Sequence, residues 1–233
     1  MQVIILCGGK GSRMGPLCEE LPKPLFKIGE KPVLWHIMKI FSSYGFNDFV
    51  LCAGHRVEMI NKFVEENRNE GWNIQVVDTG KDSTKAERIL KVAPLIRTED
   101  FFVSYGDDLA DIDLNKLVAF HKGHGKTATL TTVKLLSPFG VLELGKDDSI
   151  SAFREKPLLD KWMNGGYMVF KKSVLSQMDG GELEDHVLPR LAKAGEIYAY
   201  RHEGGWKTMN TLKDNDELNE LWKNGKAFWK VWE

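Results

Sequence analysis

The opening residues constrain the fold more than any other part of the chain. Val3-Ile4-Ile5-Leu6-Cys7 is apolar at every position and is cut off at once by Gly8-Gly9-Lys10-Gly11-Ser12-Arg13. A strand without polar alternation is one buried on both faces, so helices must cover it above and below. The glycines that follow permit a tight turn and let backbone N–H groups approach a ligand where a Cβ would stand in the way. A buried strand running into such a loop predicts an α/β architecture.

The first half keeps the alternation. Residues 32–44 have helical spacing through Leu34, Ile37, Met38 and Phe41, and end at Tyr44-Gly45. Residues 49–53 are a second buried strand, 57–67 a helix, 73–77 a third strand and 86–95 a helix. Residues 101–105 form a strand that stops at Gly106-Asp107. Apolar strands alternating with helices predict a mostly parallel sheet covered on both faces. The second half is richer in strands, at 128–134, 140–144, 150–153, 167–170 and 197–200, with helices near 184–194 and 214–224. No repeat and no Pro/Gly/Ser-rich linker divides it, so 1–233 reads as a single domain.

Composition narrows the partners. A net charge of −1 gives no pull toward nucleic acid or an anionic membrane. No stretch is long enough to span a bilayer, and no basic leader precedes the first strand. The three cysteines, Cys7, Cys18 and Cys52, lack metal-site spacing and cannot form a complete set of disulfides. A cytoplasmic protein acting on small molecules is expected.

The glycine loop fits neither of two common phosphate-binding patterns. A Walker loop requires G-x-x-x-x-G-K-[ST], but Lys10 is followed by Gly11. A dinucleotide fingerprint requires a third glycine where Met14 stands, and the second strand ends in Cys52-Ala53-Gly54 without the acid that holds a ribose. What remains is a glycine loop carrying Arg13, with Lys23 aimed by the stiff segment Pro22-Lys23-Pro24. Two cations beside a glycine loop suit a triphosphate, whose charge must be neutralised as a phosphoryl bond breaks.

Asp107 closes the fourth buried strand, where open α/β sheets bind ligands, and is a candidate for Mg²⁺. Asp113 precedes the apolar spacing Leu114, Leu117, Val118 and reads as a helix cap, while Asp108 and Asp111 have no assigned role. In Arg154-Glu155-Lys156-Pro157, Glu155 can accept from sugar hydroxyls and Lys156 can hold a phosphate; a charged surface turn is the alternative. Asn164-Gly165-Gly166 sets an amide beside two bare backbone positions. His36 reads as packed, and Trp222, Trp229 and Trp232 as core or subunit contact.

Taken in order, GGKGSRMGPLCEELPKPL, KPVLWHIMK, VDTGKDSTKAER, YGDDLADIDL, FREKP, NGG and GKAFWKVWE resemble the sugar nucleotidyltransferase family, nearest its cytidylyltransferase branch. The resemblance implies a three-layer α/β/α Rossmann-like nucleotidyltransferase fold with a mixed, mostly parallel central sheet. Residues up to about 125 would form a nucleotide-binding half, and the remainder an acceptor-binding half with the C-terminal helix. Leu6, Gly8 and Gly9 would lie at the base and ribose, and Gly11, Ser12, Arg13 and Lys23 at the triphosphate, with Arg13 and Lys23 catalytic. Ser83, Arg88 and Gly106 would add nucleotide contacts, and Glu155, Lys156, Asn164 and Gly165 would face the acceptor. Asp107 and residue 210 would hold Mg²⁺.

The implied reaction is transfer of CMP from CTP (or another pyrimidine triphosphate) to a sugar 1-phosphate such as glucose 1-phosphate, in a homo-oligomer. The chain departs from the pattern in places. Trp206-Lys207-Thr208-Met209-Asn210-Thr211 has an amide where the family has its second metal carboxylate, and Ala86-Glu87 stand where the branch has two glycines before Arg88. The stretch before Asp78 is also shorter. The amide at 210 leaves three readings: a working enzyme with a weakened metal site or with a non-glucose phosphate acceptor that tolerates it, a catalytically silent module that binds nucleotide or sugar phosphate, or a deliberate replacement of an aspartate at this position.

Overall fold

The computed structural model describes residues 1–11, 14–15 and 17–233. In chain order its strands are β1 (Val3–Leu6), β2 (Lys27–Ile28), β3 (Lys31–Pro32), β4 (Asp48–Ala53), β5 (Asn73–Asp78), β6 (Asp100–Tyr105) and β7 (Asp108–Ala110). There follow β8 (Ala128–Leu136), β9 (Val141–Leu144), β10 (Ile150–Arg154), β11 (Leu158–Lys171), β12 (Ile197–Arg201) and β13 (Trp206–Thr208). The helices are α1 (Leu17–Glu20), α2 (Val33–Ser43), α3 (Val57–Glu66), α4 (Lys85–Val92), α5 (Leu114–His124), α6 (Leu188–Lys193) and α7 (Leu212–Lys223).

Seven strands form the central sheet in the order β12-β8-β11-β6-β1-β4-β5. β1 pairs in parallel with β4 on one side and β6 on the other, and β4 with β5. Only β11 runs against its neighbours β6 and β8, while β12 lies parallel to β8. The sheet is therefore mixed and mostly parallel. Alternate residues of β1 serve opposite faces. Val3 and Ile5 pack with α2, α3, α5 and the C-terminal segment, whereas Ile4 packs with α4 and α6. Three layers result, as the unbroken apolar strands require.

Two elements differ from the sequence reading. The strand expected at 167–170 is the end of β11, a strand of 14 residues, so Asn164-Gly165-Gly166 lies inside a strand. The helix expected at 184–194 is a wide π-type turn, Leu183–Val187, followed by α6. The Leu188 N–H reaches back to the Leu183 carbonyl. Pro189, having no N–H, could not continue a regular ladder there.

The tryptophan-rich tail packs on its own chain. Trp229 is fully buried, and Trp222, Trp229 and Trp232 all meet His36 of α2 through their rings. His36 Nε2 lies 2.9 Å from the Ile28 carbonyl, and Trp229 Nε1 donates to Nδ1 at 3.4 Å. These partners require a neutral ring with the proton on Nε2. Burial pushes the His36 pKa down to about 4.

Because the folded ring resists protonation, its stabilising effect is complete above the unfolded value near 6.5. It is lost as pH falls from there toward 4, amounting to about 3 kcal/mol. Thermal melts of the protein and of His36→Gln across this window should show a steeper loss for the parent; parallel curves would contradict the neutral, buried ring.

Candidate active site

The sheet order sets where a ligand can bind. The chain passes from β1 to β4 and β5 on one side and then returns to β6 on the other, which makes the carboxyl ends of β1 and β6 a topological switch point. A cleft of about 880 Å³ opens there, lined in part by Leu6, Gly8, Gly9, Gly11, Lys23, Ser83, Arg88, Gly106, Asp107, Asn164 and Asn210. The structure thus brings these residues into one place from both halves of the chain. Ser12 and Arg13 lie outside the described residues.

Lys23 lies at the floor of the cleft. Pro22 and Pro24 hold the extended entry and the short 3₁₀ turn from which it projects, and the side chain is buried. Its ammonium donates to the Asp107 carboxylate and, at 3.1 Å, to Asn210 Oδ1. Asp107 and Asn210 meet because β13 pairs with β7, Thr208 opposite Asp108, and the Met209 N–H bonds the Asp107 carbonyl at 2.9 Å. Asn210 is held in turn by the cap of α7, where Asp214 accepts from its N–H at 3.0 Å. One carboxylate and one amide oxygen therefore converge on a single cationic point.

Arg88 is used differently from the contact implied by the resemblance. The residue is 4% exposed, and its guanidinium donates to the carbonyls of Gly8, Ala53 and Lys81 and to Thr79 Oγ1. It pins together the loops after β1, β4 and β5, so its terminal N–H groups are engaged by the protein. Gly8 must lack a side chain for this reason, since a Cβ there would lie 2.0 Å from Arg88 Nη1. Gly9 differs, because a Cβ there would meet no described atom within 4 Å; its bare backbone faces open space. Ser83 is likewise engaged, donating to the Thr79 carbonyl and accepting from Lys91 at 2.8 Å.

The acceptor-side residues separate. Asn164 lines the cleft, but its amide donates to Tyr105 at 3.1 Å and accepts from Gly166 N–H. Gly165 is not among the lining residues, and its carbonyl accepts from Trp206 Nε1 at 2.8 Å. The two glycines answer to packing: Cβ atoms would lie 3.1 Å from Val133 at Gly165 and 2.0 Å from Asp108 Oδ2 at Gly166. Glu155 and Lys156 stand outside the cleft at the root of the β9–β10 hairpin, with side chains 63% and 62% exposed. In this structure they are the charged surface turn. Asp113 caps α5, accepting from Lys116 N–H at 2.9 Å, and Asp111 pairs with His202 at 3.0 Å.

One wall was not foreseen. Tyr105 donates to Glu184, which Lys85 meets at 3.0 Å, and Glu182 and Asp185 line the same side. Burial first, and the nearby Glu184 carboxylate second, push the Tyr105 pKa upward, so its hydroxyl stays a donor. The position of Tyr105 directly before Gly106 was the available signal; Glu184 and Lys85 carry none, because they reach the cleft from separate helical turns.

Replacing Arg88 with Met should remove four hydrogen bonds, although the Gly8 and Ala53 carbonyls keep those from the His55 and Thr79 N–H groups. It should cost about 3 kcal/mol, with a melting point lower by several degrees. Retention of the parent melting temperature would sink the clamp.

A nucleotidyl transferase family model matches residues 2–222. The chain is 38% identical over 255 residues to the "Probable glucose-1-phosphate cytidylyltransferase" of Bacillus subtilis, covering all of both proteins. It is 38% identical over 258 residues to the glucose-1-phosphate cytidylyltransferase of Salmonella typhimurium, again across both full lengths. Among solved structures, HddC from Yersinia pseudotuberculosis superposes with a TM-score of 0.77 at 18% identity, covering 95% of this chain and 99% of that one, a likeness of fold. The glycine loop at a switch point, the Lys23–Asp107–Asn210 floor and the full-length likeness agree: the chain belongs to the nucleotidyl transferase family.

Proposed function

We propose that this protein transfers CMP from CTP to a sugar 1-phosphate, glucose 1-phosphate or a close relative, and releases pyrophosphate. The observation that carries the reading is the buried Lys23 ammonium between Asp107 and Asn210, beside the open backbone of Gly9 in a cleft lined from both halves. The full-length likeness to proteins named glucose-1-phosphate cytidylyltransferase supports the choice of base and acceptor.

An acceptor phosphate oxygen attacks the α-phosphorus in line. The new P–O bond forms as the bond to the β-phosphate oxygen breaks, and pyrophosphate leaves with that electron pair. The attacking phosphate is already anionic at neutral pH, so no side chain need remove a proton. Catalysis then consists of alignment and charge neutralisation. Lys23, released from Asp107 as nucleotide enters, places its ammonium on the phosphates. Arg13 and Ser12 would add donors from the glycine loop, and Arg88 keeps that loop in shape.

Mg²⁺ fits the floor. Asp107 and Asn210 present two oxygen donors to one point that attracts a cation, and Mg²⁺ binds through one or two carboxylates plus substrate phosphates and water. Among the described residues there is no cluster of three or more His, Cys, Asp or Glu able to hold a metal alone, which matches a site completed by substrate. When bound, the ion would withdraw charge from the phosphate oxygens. Asp107 would be its one charged ligand, with Asn210 contributing a neutral carbonyl.

Two measurements test the assignment. Pyrophosphate release from CTP with glucose 1-phosphate should fall about a thousandfold in Lys23→Ala, with the fold intact by circular dichroism. Activity near the parent level would remove Lys23 from the mechanism. Asn210→Asp should lower the Mg²⁺ concentration needed for half-maximal rate several-fold, since a second charge joins the metal. An unchanged Mg²⁺ dependence would mean residue 210 is not a ligand.

A further inference from the structure

We propose that Lys134, Trp162 and Arg201 form a subsite for a second anionic group, a carboxylate or a phosphate, carried by the acceptor away from its reacting phosphate. The inference rests on the cleft being a site of nucleotidyl transfer, and it names which relative of glucose 1-phosphate the acceptor half takes. Lys134 Nζ lies 5.3 Å from the centre of the Trp162 ring, and the Arg201 guanidinium carbon 5.6 Å from it. Each cation is drawn to the negative face of the indole. Both are exposed, and the ring between them is half-buried.

Sheet register places the cluster beside the cleft. Lys134 of β8 lies opposite Trp162 of β11, and Thr132 opposite Asn164, while Arg201 of β12 lies opposite Thr132. Residues two apart on a strand share a face, so all three side chains rise from the face that bears Asn164. Asn164 lines the cleft. Trp162 is two residues farther along β11, about 7 Å at the usual rise of a strand. The cluster therefore stands just past the acceptor end of the cleft, at the carboxyl edge of the sheet.

Charge identifies the group it takes. The cations lining the cleft, Lys10, Lys23, Lys81, Lys85 and Arg88, all come from the first half of the chain. The second half contributes Glu182, Glu184 and Asp185 to that lining and no cation. Such a wall suits sugar hydroxyls and repels any anion beyond the reacting phosphate. Lys134 and Arg201 reverse the sign one step outward. Among the described residues neither has a carboxylate within ion-pair distance. Two like charges drawn to one ring repel each other, and an anion between them relieves this. The guanidinium fork matches a carboxylate or phosphate with two parallel bonds. Contact with the indole also holds two long side chains in place before the ligand arrives, which lowers the cost of ordering them.

Steady-state kinetics with CTP and three acceptors tests this: glucose 1-phosphate, glucuronic acid 1-phosphate and glucose 1,6-bisphosphate. The parent should show a kcat/KM at least tenfold higher for one of the two doubly substituted acceptors than for glucose 1-phosphate, and which one it is tells carboxylate from phosphate. Lys134→Gln with Arg201→Gln should reduce that preference at least tenfold, chiefly through KM. A parent without the preference, or a preference that survives both glutamines, would overturn the subsite and leave cytidylyl transfer standing. If none of the three acceptors is turned over, the reading of the cleft fails instead, and calorimetry with the same compounds decides the subsite. Tighter binding of a doubly anionic compound by the parent, lost in the variant, upholds it; equal binding of all three overturns it.

Discussion

The Lys23 ammonium, held between the Asp107 carboxylate and the Asn210 amide, is the interaction on which the cleft depends. The three residues come from the turn after α1, the turn between β6 and β7 and the loop after β13, with Lys23 separated from the other two by 84 and 187 positions along the chain. Their meeting joins the two halves at the switch point of the sheet. A buried cation needs compensating oxygens, and a lone buried carboxylate needs a cation. Under the proposed function, the same balance would let the point receive a metal ion once nucleotide draws the lysine away. At Asn210 the second oxygen comes from a neutral amide, so Asp107 supplies the one carboxylate that Lys23 meets at this point.

Around that floor the protein invests its buried polar groups in shaping loops. Arg88 ties three of them to one guanidinium, and the demand for glycine at Gly8 follows from the closeness of that side chain. Tyr105, Asn164 and Glu184 do the same for the opposite wall. Satisfied networks of this kind rigidify a site in a way that apolar packing alone does not. The cleft is thus prepared by groups that do not themselves all face the ligand. Residues implied by resemblance to touch nucleotide or acceptor divide accordingly into those left open, such as Gly9, and those already engaged, such as Arg88, Ser83 and Asn164.

The hairpin stands apart from this economy of partners. It carries Leu142, Leu144, Ile150 and Phe153 on one largely exposed face, and Glu155 and Lys156 sit at its root, away from the cleft. Whatever fixes the hairpin also fixes the turn that bears those two charged residues.

Local sequence determined the layers, most of the elements and the place of the cleft, since strand burial, helical spacing and glycine turns are set by neighbours in the chain. The unbroken apolar character of β1, β4 and β6 required helices on both faces, and Gly106-Asp107 marked the functional end of the sheet. Only tertiary structure decided that Lys23 reaches Asp107 and Asn210, that Arg88 binds backbone, and that Glu155 and Lys156 stay outside. These outcomes depend on distances between segments remote in sequence: the β7–β13 register, the closeness of β4 to α4, the reach of β11. A residue's type states what it can bond, but the bonds it makes are set by which groups the fold carries within about 3 Å of it.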